Sequence, residues 1–474
     1  MATKKKIIGR LAAGILITSV GYGFYYCWVS FPIISGYGAK VFCSAVFVSG
    51  RPEQEVRREE LAAFPLTLAH YTVDYRDSSV TGTVWGLAEK KVIYRKGLGA
   101  TLVSEWPEQQ VRAEHFPLAE AGKTRQDTIP WPMGDRLADT IPAGLDTSVL
   151  QKALDGPFVE KDTANPIRTR AVVVVYKGQI VGERYAPGFS SATPLLGWSM
   201  AKSITGALIG ILVGDGKLRV EAPAPVPEWS SPDDPRHAIT LANLLQQSSG
   251  LRFEENYTKS SDATKMLFQR ADAGAYTAAH PLKDKPGTIW YYSSGNSNIL
   301  SRIIRQTVGE TAYHAFPYDR LFHKTGMYSA ILEPDASGTF VGSSFMYASA
   351  RDWARFGLLY LGDGVFNGER ILPDGWVAHS TTPAPSALKG QYGYQLWLNA
   401  GTKGSADDRL YPHAPADMFC ADGYEGQNVF IIPSRQLVVV RLGLTHGKFD
   451  ADQLLEDVLK AIPNQNPAGR KIIP

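Results

Sequence analysis

Apolar and polar residues alternate in four different patterns along this chain, and each pattern predicts a different element. The first is a run from Leu11 to Ala39 without a formal charge, preceded by Lys4, Lys5, Lys6 and Arg10. It exceeds the roughly 20 residues that cross a bilayer. Tyr22, Phe24, Tyr25, Tyr26, Trp28 and Phe31 crowd its distal half, where an aromatic belt meets an interface. A single membrane-spanning helix is expected over residues 1–40, in the cell inner membrane. The basic flank stays cytoplasmic, so the chain beyond Lys40 lies on the periplasmic or extracellular side. A cleaved signal peptide, with Gly36 and Gly38 near the cut, is the competing reading. Length and aromatic load favour retention.

The second pattern is a set of β-branched and aromatic residues between Gly, Asp and Ser punctuation over residues 70–76, 82–95 and 100–106. It predicts a small strand-rich module within residues 41–140 that spaces the rest from the membrane or binds a partner. A Pro- and Gly-rich stretch over residues 128–146 then reads as a linker.

The third pattern brackets residues 141–474. Leu150, Ala153 and Leu154 begin an amphipathic helix, and residues 171–185 read as two strands about Lys177-Gly178. The same elements return in reverse order near the end. Residues 428–443 form two strands about Pro433-Ser434-Arg435, and Leu454, Leu455, Val458 and Leu459 mark a last helix. Between these ends, residues 199–375 are mostly helical segments and loops. The expected fold class is α+β: an antiparallel sheet flanked by helices, with a helical lobe, preceded by a transmembrane helix and a small β-rich module.

Composition narrows the function classes. A net charge of +3, with no basic tract beyond the N-terminus, leaves no footprint for nucleic acid. Cys27, Cys43 and Cys420 have no paired spacing, so neither a disulfide framework nor a cysteine zinc site is expected. His413, Asp417, Cys420 and Asp422 share one loop, but their spacing matches no zinc pattern. No cofactor and no metal are expected.

The fourth pattern carries chemistry. Ser199 and Lys202 open a run with Ile204, Ala207, Leu208, Ile211 and Leu212 at helical spacing. Residues three apart share a helix face, so the lysine can serve the serine as a base. The same pair could equally be a helix cap and a solvated charge. Ser386 and Lys389 repeat the spacing inside a Pro-punctuated loop with no helix behind them. Tyr292, between the Pro286-Gly287 turn and a helix starting near Asn296, could relay a proton, its phenol lowered by an adjacent ammonium. As a lone tyrosine it could also be core packing. Residues 421–427, Ala-Asp-Gly-Tyr-Glu-Gly-Gln, lead into an apolar strand and could offer a backbone N–H to an oxyanion, or be an ordinary turn.

Taken in order, Ser199-Met200-Ala201-Lys202 opening a helix, Tyr292-Ser293-Ser294 after Pro286-Gly287-Thr288, and the glycine-rich strand entry resemble the β-lactamase-related serine hydrolases. That family includes class C β-lactamases, DD-peptidases, esterases and the 6-aminohexanoate-dimer hydrolases. Residues 197–203, 239–251, 254–257, 350–364 and 423–427 look most like the last, amide-hydrolysing branch. The resemblance spans about residues 145–460. It implies Ser199 as acylated nucleophile, Lys202 as general base, Tyr292 as acid/base partner, and the N–H groups of Ser199 and Tyr424 as oxyanion hole. It also implies that Tyr257 contacts substrate. Which of Lys202 and Tyr292 holds the proton at rest stays open.

Two departures bear on substrate. Ser294 stands where penicillin-recognising relatives carry Asn, and Ala421-Asp422-Gly423 stands where they carry Lys-Thr-Gly or His-x-Gly. Carboxylic esters or linear amides are therefore expected ahead of DD-peptidase or β-lactamase substrates. A near match to the nucleophile elbow, Gly197 to Ala201 with His446 downstream, lacks the βαβ units that elbow requires. A non-catalytic membrane-held sensor or scaffold is the reading from a different class.

Overall fold

The computed structural model describes residues 2–113, 126–402, 405 and 407–463. The apolar N-terminal run forms one helix, α1 (Ala2–Phe47). It does not end at residue 40. From Ile7 to Tyr26 every described side chain is exposed, whereas from Ile34 onward nearly all are buried. The side chains of Lys4, Lys5 and Lys6 lie outside the described residues.

The buried end of α1 is the core of the β-rich module. Strands β1 (Ala69–Asp74), β2 (Ser79–Val84), β3 (Leu87–Arg95) and β4 (Gly99–Leu102) form an antiparallel sheet in that order. Phe42 and Cys43 of α1 pack with Tyr71, Val80 and Val92 of this sheet. A four-stranded sheet with one apolar face needs such a cover, and α1 supplies it. The expected boundary between anchor and module therefore falls inside a continuous helix.

The remainder builds one long sheet. Helix α2 (Thr147–Asp155) precedes β5 (Thr169–Tyr176) and β6 (Gln179–Tyr185). Near the C-terminus come β7 (Trp397–Leu398), β8 (Phe419–Gly423), β9 (Gln427–Ile432) and β10 (Leu437–Gly443). The six pair antiparallel in the order β7-β8-β9-β10-β5-β6, so the two ends of this region meet at β10 and β5. Strand β5 is buried at every position. Its Val172, Val174 and Tyr176 face α2 and the last helix, α7 (Ala451–Ala461), while Val173 and Val175 face the opposite core. That double burial explains a continuous valine run where a half-exposed strand would alternate.

The opposite core holds α3 (Met200–Gly214), α5 (Ser294–Val308) and α6 (Ala350–Leu361). Helix α3 is buried all round from Met200 to Leu212, which accounts for its lack of a polar face. A short helix, α4 (Asp262–Gln269), carries Met266, Leu267 and Phe268 into the α1 core.

Two expected spacers prove to be fastened. Residues 131–136 do not hang free: Arg355 Nε donates to Pro132 O at 2.6 Å, its Nη2 to Gly134 O at 2.6 Å, and Trp131 Nε1 to Gly178 O at 2.8 Å. The arginines of α6 thus pin the Pro-rich stretch to the part of the chain built on the six-stranded sheet. The β-rich module is held as firmly. Lys40 and Glu333 form a buried ion pair, and Glu333 also accepts from Ala100 N at 2.7 Å and Ser44 Oγ at 2.9 Å. Arg170 of β5 reaches Glu59 at 2.9 Å and Glu60 at 2.5 Å.

Candidate active site

Ser199 immediately precedes α3, and its side chain caps nothing. The helix-cap reading of the Ser199/Lys202 pair therefore fails. The residue before it, Trp198, has φ +47°, a left-handed conformation that costs a bulky side chain energy. Three contacts hold it there. Its Nε1 donates to Glu425 Oε2 at 3.1 Å, its ring stacks on Tyr37 of α1 at 5.9 Å, and Tyr424 meets it edge-on at 5.8 Å. The turn that presents the serine is thus braced from the β8–β9 connection and from the N-terminal helix.

Lys202 lies one turn along α3 and is 1% exposed. Its Nζ is 2.8 Å from Ser199 Oγ, 3.0 Å from Ser294 Oγ and 2.9 Å from Ser343 O. Burial lowers its pKa to about 8, against the opposing pull of Glu255 and Asp422. Desolvation dominates because no carboxylate bonds the ammonium directly.

Tyr292 joins them from the segment leading into α5. Its ring centroid lies 4.9 Å from Lys202 Nζ, and Ser199 is among the groups that act on its phenol. Trp397 of β7 stacks on the same ring at 5.3 Å and 30°. Here the sequence expectation is corrected. Burial, with Tyr392, Glu255 and Asp422 nearby, holds the phenol well above its ordinary pKa instead of letting the ammonium lower it. Tyr292 keeps its proton at rest, and Lys202 is the group poised to lose one.

Tyr257 also reaches the cluster. Its hydroxyl donates to Glu255 Oε1 at 2.7 Å and lies 2.9 Å from Ser294 Oγ, while its ring remains 47% exposed in the cleft. Glu255 in turn accepts from Ser294 N at 2.8 Å and Ser294 Oγ at 2.5 Å. Ser294, in the usual Asn position, is therefore a link between Lys202 and a carboxylate.

The strand entry abuts the serine turn. A Cβ on Gly423 would lie 2.2 Å from Gly197 O, so only glycine lets β8 come this close. Tyr424 follows, and it lines a cleft of ≈ 1220 Å³ together with Ser199. Tyr37, Trp198, Ser199, Tyr257 and Asp422 line the same cleft. Asp422 accepts from Asn428 Nδ2 at 2.7 Å, and burial raises its pKa to about 6.

The remaining sequence candidates separate from this centre. Ser386 and Lys389 lie in a loop, the serine hydroxyl buried without a partner and the lysine exposed. His446 sits at the cleft rim, its N–H donating to Pro166 O at 2.9 Å. His413 pairs with Asp452 at 2.5 Å, Asp417 accepts from Ser434 Oγ at 2.8 Å, and Cys420 is buried, so that loop's four polar groups serve different partners. Ser343, Glu255 and Tyr37 were not picked out from sequence. Ser343 acts through its carbonyl, which no side-chain motif reports. Glu255 stood two residues before Tyr257, and its acidity beside a reactive lysine was the available signal.

Comparison with known proteins bears on the family and the fold. The family model "Beta-lactamase" matches residues 157–460. A 6-aminohexanoate-dimer hydrolase of Paenarthrobacter ureafaciens is 24% identical over 299 residues, covering 58% of this chain and 72% of that protein. The solved structure of a putative 6-aminohexanoate-dimer hydrolase from Bacillus anthracis superposes with TM-score 0.53 and 23% identity, covering 66% of this chain and 83% of that one. A family VIII carboxylesterase superposes with TM-score 0.53 and 16% identity, covering 67% and 97% respectively.

Proposed function

From the premise that this chain belongs to the beta-lactamase family of serine hydrolases, we propose that it cleaves carboxylic esters or linear amides through an acyl-enzyme on Ser199. The observation that carries this reading is the placement of Lys202 Nζ, buried and 2.8 Å from Ser199 Oγ. A neutral amine has one lone pair and two N–H groups. With its N–H groups directed at Ser294 Oγ and Ser343 O, its lone pair faces the Ser199 hydroxyl.

The reaction then follows from the geometry. Lys202 takes the hydroxyl proton as Ser199 Oγ attacks the carbonyl carbon. The resulting oxyanion is held by the N–H groups of Ser199 and Tyr424, donors worth a few kcal/mol in such sites. Tyr292 gives its proton to the leaving oxygen or nitrogen as that bond breaks, and is re-protonated from the Lys202 ammonium. Water then attacks the acyl-enzyme along the reverse proton route. Tyr257, with its hydroxyl anchored to Glu255, packs against the bound substrate.

Ala421 stands where penicillin-recognising relatives hold a cation, and the negative charge next to it, on Asp422, favours esters and linear amides over β-lactams. It would repel a substrate carboxylate at the site where those enzymes attract one. The apolar, exposed stretch of α1 before residue 29 supports membrane anchoring, with the hydrolytic domain on the outer side.

A panel of p-nitrophenyl esters, short linear amides, a D-Ala-D-Ala peptide and a chromogenic cephalosporin tests the choice of substrate. Turnover of esters or amides with little on the cephalosporin is expected. Rapid cephalosporin turnover with no ester or amide hydrolysis would refute it. In the same assays kcat/KM rises with pH through about 8, because the base form of Lys202 is the active one and appears above its pKa. Asp422→Asn removes a charge that favours the ammonium, so this limb moves to lower pH. A limb that stays in place or moves to higher pH would contradict Lys202 as base. Tyr292→Phe lowers kcat by about 10²–10⁴-fold. The loss is larger for amides and alkyl esters than for p-nitrophenyl esters, whose leaving group needs no proton. Equal losses on both would remove Tyr292 from the leaving-group step.

A further inference from the structure

The cleft that holds Ser199 is walled in part by the N-terminal helix. Ile33, Ile34 and Tyr37 of α1 line it, together with Phe64 and Leu66 from the segment before β1. Leu66 packs with Phe31 and Ile34, so helix and segment form one apolar side of the cleft. Polar groups line the cleft as well, among them Asp422 and Tyr257.

The same helix leaves the protein as an exposed apolar rod. Ile15, Leu16, Ile17, Phe24 and Trp28 are between 64% and 82% exposed. From residue 11 to residue 28 an α-helix rises about 27 Å, close to the thickness of a bilayer's hydrocarbon core. Ile33 and Ile34 follow within about 10 Å along the axis, inside the headgroup layer.

A second feature marks the same level. The β2–β3 hairpin tip exposes Trp85 by 69% and Leu87 by 61%, and Trp85 meets Phe31 edge-on at 5.2 Å. Phe64, 78% exposed, lies at the cleft. Exposed Trp, Leu and Phe beside the root of an apolar helix form the collar that membrane-seated proteins place in the headgroup region.

We infer that the substrate is a membrane-resident amphiphile, a long acyl chain joined through a carboxylic ester or amide to a polar group, drawn from the adjoining leaflet into the cleft. The inference rests on the serine-hydrolase reading above. The acyl chain lies along Ile33, Ile34, Phe64 and Leu66, which places its carbonyl carbon toward Ser199 and its polar group toward Asp422 and Tyr257. Attack forms the bond between Ser199 Oγ and the carbonyl carbon and breaks the C–O or C–N bond. The alcohol or amine leaves with a proton, and water then releases the fatty acid. The covering of α1 and the collar by one planar apolar phase explains why these exposed groups share one level of the molecule.

The test uses the full chain in phosphatidylcholine vesicles, with 4-methylumbelliferyl palmitate in the bilayer and 4-methylumbelliferyl acetate in solution. Wild type is expected to prefer the palmitate in kcat/KM. Phe64→Ser and the double variant Trp85→Ser/Leu87→Ser each lower the palmitate-to-acetate ratio by about tenfold, the scale of one lost apolar contact surface. These side chains are exposed, so the fold tolerates the changes, and the acetate rate reports any loss of fold. A wild type with Ser199-dependent acetate turnover but no palmitate preference overturns the inference and leaves the hydrolase reading intact. An unchanged ratio in both variants also overturns it. Hydrolysis that persists in Ser199→Ala instead sinks the hydrolase reading itself.

Discussion

Ser199→Ala is expected to lower kcat/KM by at least about 10⁴-fold on any ester or amide the wild type hydrolyses, because the other hydroxyl beside Lys202, that of Ser294, is tied to Glu255 and lies off the serine turn. Fluorophosphonate labelling should vanish with it. The variant should still fold. Lys202 retains Ser294 Oγ at 3.0 Å and Ser343 O at 2.9 Å, so the buried amine is not stranded. One lost hydrogen bond is worth about 1 kcal/mol, a small change in an unfolding curve. Lys202→Met should cost a similar factor, and the double variant hardly more than either alone, since nucleophile and base act as one unit. Steady-state rates and intact-mass detection of the acyl-enzyme check this. Losses that multiply in the double variant would mean that the two side chains act separately.

Lys40→Met is expected to be the most destabilising single change outside the core, at about 3–5 kcal/mol, because it leaves Glu333 as an unpaired buried charge. Lys40 is 2% exposed and Glu333 fully buried. Burial already pushes the Glu333 carboxyl up, and Lys40 is the main group opposing that push. Removing the lysine lets the carboxyl take a proton at higher pH. A carboxyl whose folded pKa is raised costs stability as pH climbs from its unfolded pKa to its folded one, so the deficit of Lys40→Met shrinks as pH falls through that window. The double variant Lys40→Met/Glu333→Gln should recover most of the loss, since neither charge is then buried. Denaturant unfolding at two pH values, followed by tryptophan fluorescence, reads all three outcomes. A deficit that grows in acid would rule out the buried carboxylate as its cause.

Both predictions concern groups at opposite ends of what a sequence can report. The Ser199/Lys202 spacing, the Tyr292 segment and the glycine at 423 were legible because local geometry demands those residue types at those intervals. Helix α3 places positions three apart on one face, and β8 can approach Gly197 only without a Cβ. The hairpins of β5–β6 and β9–β10 were legible for a similar reason, since their turns sit between runs rich in β-branched residues. Proton ownership was not legible. An ammonium near a phenol suggests a lowered phenol pKa, yet burial outweighs that attraction for Tyr292. The extent of burial depends on Trp397 and Tyr392, more than 90 residues away.

The N-terminal segment was read correctly as a helix and incompletely as an anchor. Hydropathy cannot distinguish an apolar residue facing lipid from one facing a β-sheet, because the two environments are equally dry. Lys40 was the sign of the difference. A buried lysine at the end of an apolar run needs a partner, and Glu333 lies 293 positions further along.

The Ser199/Lys202 pairing, the antiparallel hairpins and the apolar N-terminal helix could be read from residue order alone, because each depends on residue spacing within one or two turns of backbone. Only the tertiary structure decided that α1 forms a wall of the cleft, that Glu255 and Ser294 tie Tyr257 to Lys202, and that the Pro-rich stretch is strapped to α6. These depend on contacts between residues far apart in the chain, and burial, the quantity that sets both pKa and packing, has no value until those contacts exist.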